Sequence, residues 1–355
     1  MNSGFPVSVL LWAVLIFSHP VKAQLLSSIL FVEDTQDLFS NAEIIKADLD
    51  ELTGGTYTLY NTFEEGQSPP LSLLQNHQLV IWYCGSDLED LYFWDGLDQD
   101  NQALAAYLEL GGWLWLIGTD VLYDRYGPAP ADFGHGEFVY DWLGLERYQL
   151  QTYADDGGIG LPYATPDPNA YIYGLDTLTW QFPTLYYVDG VLPREGVLPV
   201  YRMDVGGYVF RDSICGVYYP VYGIEGGGVM SFFFDLALVS PADLRQQTLL
   251  FVLEFFDSIV KTKDPILAGF GARLFPNPVS GSSCTLQLQI DDPQLVSCRL
   301  VDLSGRAVTS QLEFGRQQPG NLNLEIPFPS LPPGFYVLEV TIGSGTGGIP
   351  VIVGQ

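Results

Sequence analysis

The chain has 355 residues, room for two or three domains. Forty-two Asp and Glu against 14 Lys and Arg give a formal net charge of −28, which repels phosphate backbones and anionic membrane surfaces and so argues against nucleic-acid binding. Apolar residues reach 47% and charged residues only 16%, which excludes a disordered acidic tail and predicts a packed core.

Residues 1–23 read as a secretory signal peptide. A short polar start precedes the apolar run Val7–Phe17, and Val21-Lys22-Ala23 places cleavage between Ala23 and Gln24. The run is too short to span a bilayer, and no second apolar run of about 20 residues follows, so no membrane span is expected in the mature chain. Export permits disulfides. Four cysteines (Cys84, Cys215, Cys284 and Cys298) are nonetheless too few for a disulfide framework, and buried thiols or one bond per domain both fit the pattern.

Strand and helix patterns then alternate. Ser28–Val32 is an apolar run, Thr35–Leu52 carries apolar residues at helical spacing, and Tyr57–Tyr60 reads as a strand. Leu79–Cys84 is a buried-type strand, Asn101–Leu110 a helix closed by Gly111-Gly112, and Trp113–Ile117 a further strand. Residues 120–200 are rich in Pro, Gly and Tyr and give weak strand signals. Gly228–Phe234 is strand-like, and a long helix starts at Ser240-Pro241. Continuous apolar strands between helices predict an α/β unit, its mostly parallel sheet covered on both faces. A junction is expected at Lys261–Pro265, because charge and texture change there. Residues 24–263 hold 35 acids and nine bases, and residues 264–355 only seven and four.

The phrases Leu79-Val80-Ile81-Trp82-Tyr83-Cys84-Gly85 and Tyr107-Leu108-Glu109-Leu110-Gly111-Gly112-Trp113-Leu114-Trp115-Leu116-Ile117-Gly118 resemble the class I glutamine amidotransferase-like fold. That resemblance implies a flavodoxin-like three-layer sandwich over about residues 28–260. Active members carry a nucleophilic Cys on the turn after the Gly-Gly strand, with a later His and acid. Here the turn reads Gly118-Thr119-Asp120, and the mature chain's two histidines, His77 and His135, come too early, so the triad is absent. Ile29–Asp34 also imitates the first strand of a phospho-receiver, but the matching Asp and Lys are missing.

Other chemistry is sparse. A Cys84–His135 dyad is conceivable but not demanded by the spacing. Two His without a Cys-x-x-Cys exclude common zinc patterns, and no cofactor is expected. Asp87, Glu89, Asp90, Asp95, Asp98 and Asp100 lack an EF-hand loop and read as a solvated acidic run. The predicted strand ends carry Glu33-Asp34, Cys84–Asp87 and Gly118–Asp120 without one Lys or Arg, so an anionic ligand is disfavoured there. Asp34 and Asp120 are the candidate cation ligands. Loop aromatics, among them Tyr92–Trp94, Tyr171, Tyr173, Trp180, Tyr186-Tyr187 and Tyr218-Tyr219, suit sugar rings or peptides, or fill a core.

Residues 274–355 read as seven or so short strands with polar turns, a small β-sandwich. Leu274-Phe275-Pro276-Asn277-Pro278, Arg299–Val308 with Asp302, Gly305 and Arg306, and Leu331-Pro332-Pro333-Gly334-Phe335-Tyr336-Val337 occur in that order. They resemble the type A C-terminal sorting domain of the type IX secretion system of Bacteroidota. The resemblance implies an immunoglobulin-like sandwich, Sec export followed by the type IX machinery and its sortase, and release or attachment at the outer surface. The expected organisation is a signal peptide at 1–23, an α/β cargo domain at 24–263 and a sorting domain at 264–355. The cargo is expected to be a non-catalytic binding or structural module for glycan or protein ligands. The alternative is an extracellular hydrolase using carboxylates on polysaccharide or peptide.

Overall fold

The computed structural model describes residues 28–86, 90–95, 99–168, 170, 172, 174–221, 227–261, 267, 269–275, 279, 281–302, 306–328, 331 and 334–353. The signal-cleavage pair Ala23 and Gln24 and the motif residues Pro276, Asn277, Pro278 and Gly305 lie outside them.

Strand β1 (Ile29–Glu33) leads to α1 (Asn41–Thr53), β2 (Thr58–Asn61), the single turns α2 (Thr62–Glu65) and α3 (Leu71–Leu74), and β3 (Leu79–Gly85). Then come α4 (Gln102–Glu109), β4 (Trp113–Gly118) and α5 (Val121–Tyr126). An antiparallel stretch follows: β5 (Ala131–Asp132), α6 (Phe138–Asp141), β6 (Leu145–Gln151), β7 (Thr165–Pro166), β8 (Asp189–Pro193), β9 (Leu198–Arg202) and β10 (Ile214–Val221). Strand β11 (Gly227–Phe232) and α7 (Ala242–Lys261) complete the α/β part.

The large sheet runs β2-β1-β3-β4-β11-β10-β8-β6-β5, with β9 and β7 branching from β10. The pairs from β2 through β11 are parallel, in the order of a flavodoxin-like doubly wound sheet, and the strands beyond β11 are antiparallel. Strands β1, β3, β4 and β11 are buried on both faces, while β2 at the sheet edge stays partly exposed. Phe31, Ile81, Tyr83, Trp115, Ile117 and Phe232 pack with Ile45 and Leu49 of α1 and with Leu249, Val252 and Phe256 of α7. The alternate residues Leu30, Val32, Val80, Trp82, Leu114, Leu116 and Val229 pack with Leu104, Tyr107 and Leu108 of α4. Three layers result. Each such side chain removed from water contributes roughly 1.5–3 kcal/mol.

One expected helix is shorter than its pattern. Helix α1 starts at Asn41, not Thr35, because Asp37 and Ser40 adopt left-handed backbone at φ 52° and 58° and Asp37 Oδ1 accepts from Ala42 N at 2.8 Å. Leu38 and Phe39, two of the apolar residues at helical spacing in Thr35–Leu52, are therefore 64% and 67% exposed.

The remaining strands are β12 (Arg273–Phe275), β13 (Ser283–Ile290), β14 (Gln294–Asp302), β15 (Leu312–Gln317), β16 (Gly320–Pro327), β17 (Gly334–Ile342) and β18 (Gly345–Val353). They form two antiparallel sheets, β12-β13-β16 and β15-β14-β17-β18. Alternation gives the core: Cys284, Leu286, Leu288 and Ile290 of β13 pack with Val296, Cys298 and Leu300 of β14 and Leu338, Val340 and Ile342 of β17.

Candidate functional site

Parallel strands β1, β3, β4 and β11 end at one edge, where a doubly wound sheet opens its ligand crevice. Just past these ends stand Asp34, Ser86, Asp120 and Asp235. Asp34 is fully buried. Its Oδ1 accepts from Thr62 Oγ1 at 2.7 Å and Tyr92 N at 3.0 Å, and its Oδ2 from Trp82 Nε1 at 2.8 Å and Phe93 N at 2.7 Å. Burial pushes its carboxyl up and these four donors pull it back. With the acceptor positions of both oxygens occupied, Asp34 organises the 91–94 loop and has nothing left for a cation. Asp235 is equally buried, accepting from Tyr83 Oη and Asn41 Nδ2 at 2.7 Å each and from Ala237 N at 2.9 Å. Burial raises its carboxyl as well.

Cys84 and His135 do not form a dyad. Cys84 is 2% exposed, and burial pushes its thiol well above the ordinary value, with the Asp34, Asp124 and Asp235 carboxylates adding to the shift. The His135 side chain is 82% exposed; its Nδ1 lies 3.4 Å from Asp141 Oδ1 and its ring meets the Tyr140 edge. It lines a shallow pocket of about 410 Å3 with Asp132, Glu146, Arg147 and Leu192, on the β5–β6 side of the sheet. The described acids of the run 87–100, Asp90, Asp95 and Asp100, do not converge either. Asp100 pairs with Arg125 at 2.5 Å, the Asp90 backbone N–H donates to Asp124, and Asp87, Glu89 and Asp98 lie outside the described residues. Among the described residues no three His, Cys, Asp or Glu gather around a metal-sized space.

Asp120 has a different setting. It occupies the turn between β4 and α5 in left-handed backbone, φ 59°, and its N–H donates to the Tyr187 carbonyl at 3.3 Å. The Gln151 side-chain amide is shared between Asp120 Oδ1 at 2.7 Å and Asp189 Oδ1 at 3.2 Å. Asp189 is wholly buried, accepts from Leu122 N at 3.1 Å, and is pushed up to about 7 by that burial.

Beside Asp120 three tyrosines form a surface cluster. The ring centroids of Tyr153 and Tyr186 are 4.3 Å apart, those of Tyr153 and Tyr187 5.5 Å, and those of Tyr186 and Tyr187 6.3 Å. They stay 38%, 44% and 40% exposed. Tyr153 and Tyr187 hold left-handed backbone at φ 68° and 61°, costly for an aromatic residue. Gly160, at φ +78°, leaves the space that Tyr186 fills: a Cβ there would come within 2.5 Å of its ring. Slight burial raises the Tyr187 hydroxyl, and Tyr153, Asp120, Tyr186 and Tyr123 press it further upward. Sequence reasoning singled out Tyr186-Tyr187 but missed Tyr153. Its neighbourhood, Tyr153-Ala154-Asp155-Asp156-Gly157-Gly158, carries turn residues that mark a loop, not its partners.

In the C-terminal sheets, the described motif residues come together. The Asp302 backbone N–H donates to the Arg306 carbonyl at 2.9 Å, while its carboxylate accepts from Arg306 N at 3.0 Å and Arg306 Nε at 3.1 Å, tying Arg306 to the end of β14. Asp302 is also the register partner of Tyr336 on β17, and Gly334 opens β17 opposite Val353. Residues 273–353 match the family described as secretion system C-terminal sorting domain. This is the type IX sorting domain that the three motifs predict, and it marks a protein secreted to the outer surface through the type IX machinery. Among the described residues no helix is long and apolar enough to cross a membrane.

Two solved structures are similar over the larger part of the chain. The N-terminal domain of mmIFT52 is 12% identical with a TM-score of 0.42, covering 64% of this chain and 97% of that one. A ThuA-like protein from Bacteroides uniformis ATCC 8492 is 13% identical with a TM-score of 0.41, covering 74% and 98%. No curated protein matches the sequence.

Proposed function

We propose that residues 24–263 form an extracellular binding module, which the sorting domain delivers to the outer surface and which holds a glycan or protein ligand on the Tyr153–Tyr186–Tyr187 platform. The carrying observation is that the three exposed rings are held together at the crevice edge by backbone that is unfavourable for two of them. Exposed aromatic clusters on fixed loops offer large contact area at small entropic cost. The sorting domain, on the same proposal, is an immunoglobulin-like sandwich whose cargo begins at Gln24 after signal removal.

A carboxylate hydrolase is the second reading. Asp120 and Asp189 share one amide donor, and their environments differ as those of an acid and a base must. Asp189, however, has no exposed surface, so it cannot reach a substrate in this conformation. Binding of the secreted protein to a panel of oligosaccharides and peptides tests the main reading. Tyr186→Ala and Tyr187→Ala should each weaken the bound member at least tenfold without moving the melting temperature. Binding indifferent to both substitutions, or turnover that Asp120→Asn abolishes, would replace it.

A further inference from the structure

We infer that the platform's ligand is a cationic peptide segment of a partner, its Lys or Arg side chains lying on the three tyrosine rings beside Asp120. This rests on the binding-module reading and names the ligand's chemistry.

Two independent features point the same way. The first is the field. Residues 24–263 carry 35 acids and nine bases. Lys46 and all six arginines of this stretch are already engaged: Arg147 grips Asp132, Arg245 grips Asp48, and Arg194 stands over Tyr140 and Tyr219. With acids so far in excess, most carboxylates have no cationic partner, and the surface draws cations toward it over about one Debye length, roughly 8 Å at physiological salt.

The second feature is the chemistry of the rings. A tyrosine face carries negative quadrupole charge and attracts ammonium or guanidinium groups, most strongly where water is partly displaced. The described arginines that lie over aromatic rings, Arg125 and Arg194, use Trp94, Tyr126, Tyr140 and Tyr219, and the platform's three rings are not among these. Asp120 stands close enough to press the Tyr187 hydroxyl upward, so one negative charge borders the platform. An anionic ligand would be repelled by the same arrangement. A neutral sugar would use the rings and leave the field unused.

The test titrates the full secreted chain with octalysine at low and physiological salt, with a neutral hexasaccharide in parallel. The expected result is binding that falls at least fivefold in Tyr186→Ala, Tyr187→Ala and Asp120→Asn. It should be unchanged in Glu109→Gln, an exposed acid near the amino end of β4, at the opposite edge of the sheet. Melting temperatures confirm that each variant is folded. Octalysine bound equally by all variants would reflect the general field alone and overturn the inference. Octalysine left unbound beside a hexasaccharide held in a tyrosine-dependent way would also overturn it, while leaving the binding-module reading intact. If neither probe binds, both fall.

Discussion

Trp82 Nε1 donates to Asp34 Oδ2 across 2.8 Å, joining the centre of β3 to the end of β1 where no water reaches either group. Removing the carboxylate would strand that indole N–H, the Thr62 hydroxyl and the backbone N–H groups of Tyr92 and Phe93. Asp34→Ala should therefore destabilise the fold by roughly 3–5 kcal/mol, and Asp34→Asn by less because one acceptor oxygen survives. Urea unfolding followed by tryptophan fluorescence measures both. Equal stability of Asp34→Ala and the parent would show that the loop has another anchor.

Because the donors around Asp34 are all protein groups, millimolar Ca²⁺ should leave the melting temperature where it is. A rise of several degrees, lost in Asp120→Asn, would instead reveal a cation at the β4 turn.

Asp189 supplies a pH signature. Burial raises its folded-state value to about 7, against 3.8 for the ordinary carboxyl. Below about pH 4 both states hold the proton and the contribution is fully present. As pH climbs towards 7 the unfolded chain has released the proton while the folded one still keeps it, so stability falls through that window and levels off above it. The loss is roughly 4 kcal/mol at most. Burial pushes Asp34 and Asp235 in the same direction. Asp189→Asn, which keeps an acceptor for Leu122 N, should flatten the dependence of unfolding free energy on pH between 4 and 7. A slope unchanged in the variant would assign it elsewhere.

Gly118 and Cys84 approach so closely that a Cβ on residue 118 would lie 2.7 Å from Cys84 Cβ and 3.1 Å from the Gly85 carbonyl. Backbone atoms cannot swing aside. Gly118→Ala should cost roughly 1–3 kcal/mol, measurable by thermal unfolding. The same burial should keep Cys84 unmodified by iodoacetamide at pH 8 in the native protein; labelling at the rate of a free peptide thiol would show that the end of β3 opens.

The sequence revealed elements whose chemistry is local and repeated. Residues 79–85 and 113–118 are apolar at every position, which only a doubly covered strand explains, and Asp302, Arg306 and Tyr336 sit in motifs that fix a turn and a strand pairing. What escaped depended on distant partners. The helical spacing of Leu38 and Phe39 is real, yet the left-handed backbone of Asp37 and Ser40, with the Asp37 carboxylate accepting from Ala42 N, begins the helix later. Strands β5–β9 are two to seven residues long and separated by turns, so no period could develop. Tyr153 meets Tyr186 across 33 positions, and Gln151 meets Asp189 across 38. Spacing along the chain carries no trace of such pairs.

The three hydrophobic clusters bear on where the cargo ends. Two are built from residues 29–256 on the faces of the large sheet, and the third from residues 267–353 between the smaller sheets. Each side thus buries its own apolar surface, the condition for folding alone. We propose a boundary near Lys263. A chain of residues 24–263 should unfold cooperatively at a temperature within a few degrees of the corresponding transition in the full protein. Expressed with residues 1–23 in the native host, the same truncation should stay in the periplasm, since the segment that directs outer-surface delivery is gone. Aggregation of the purified fragment would move the boundary past 263. Its appearance in the culture medium would show that export information also resides in the cargo.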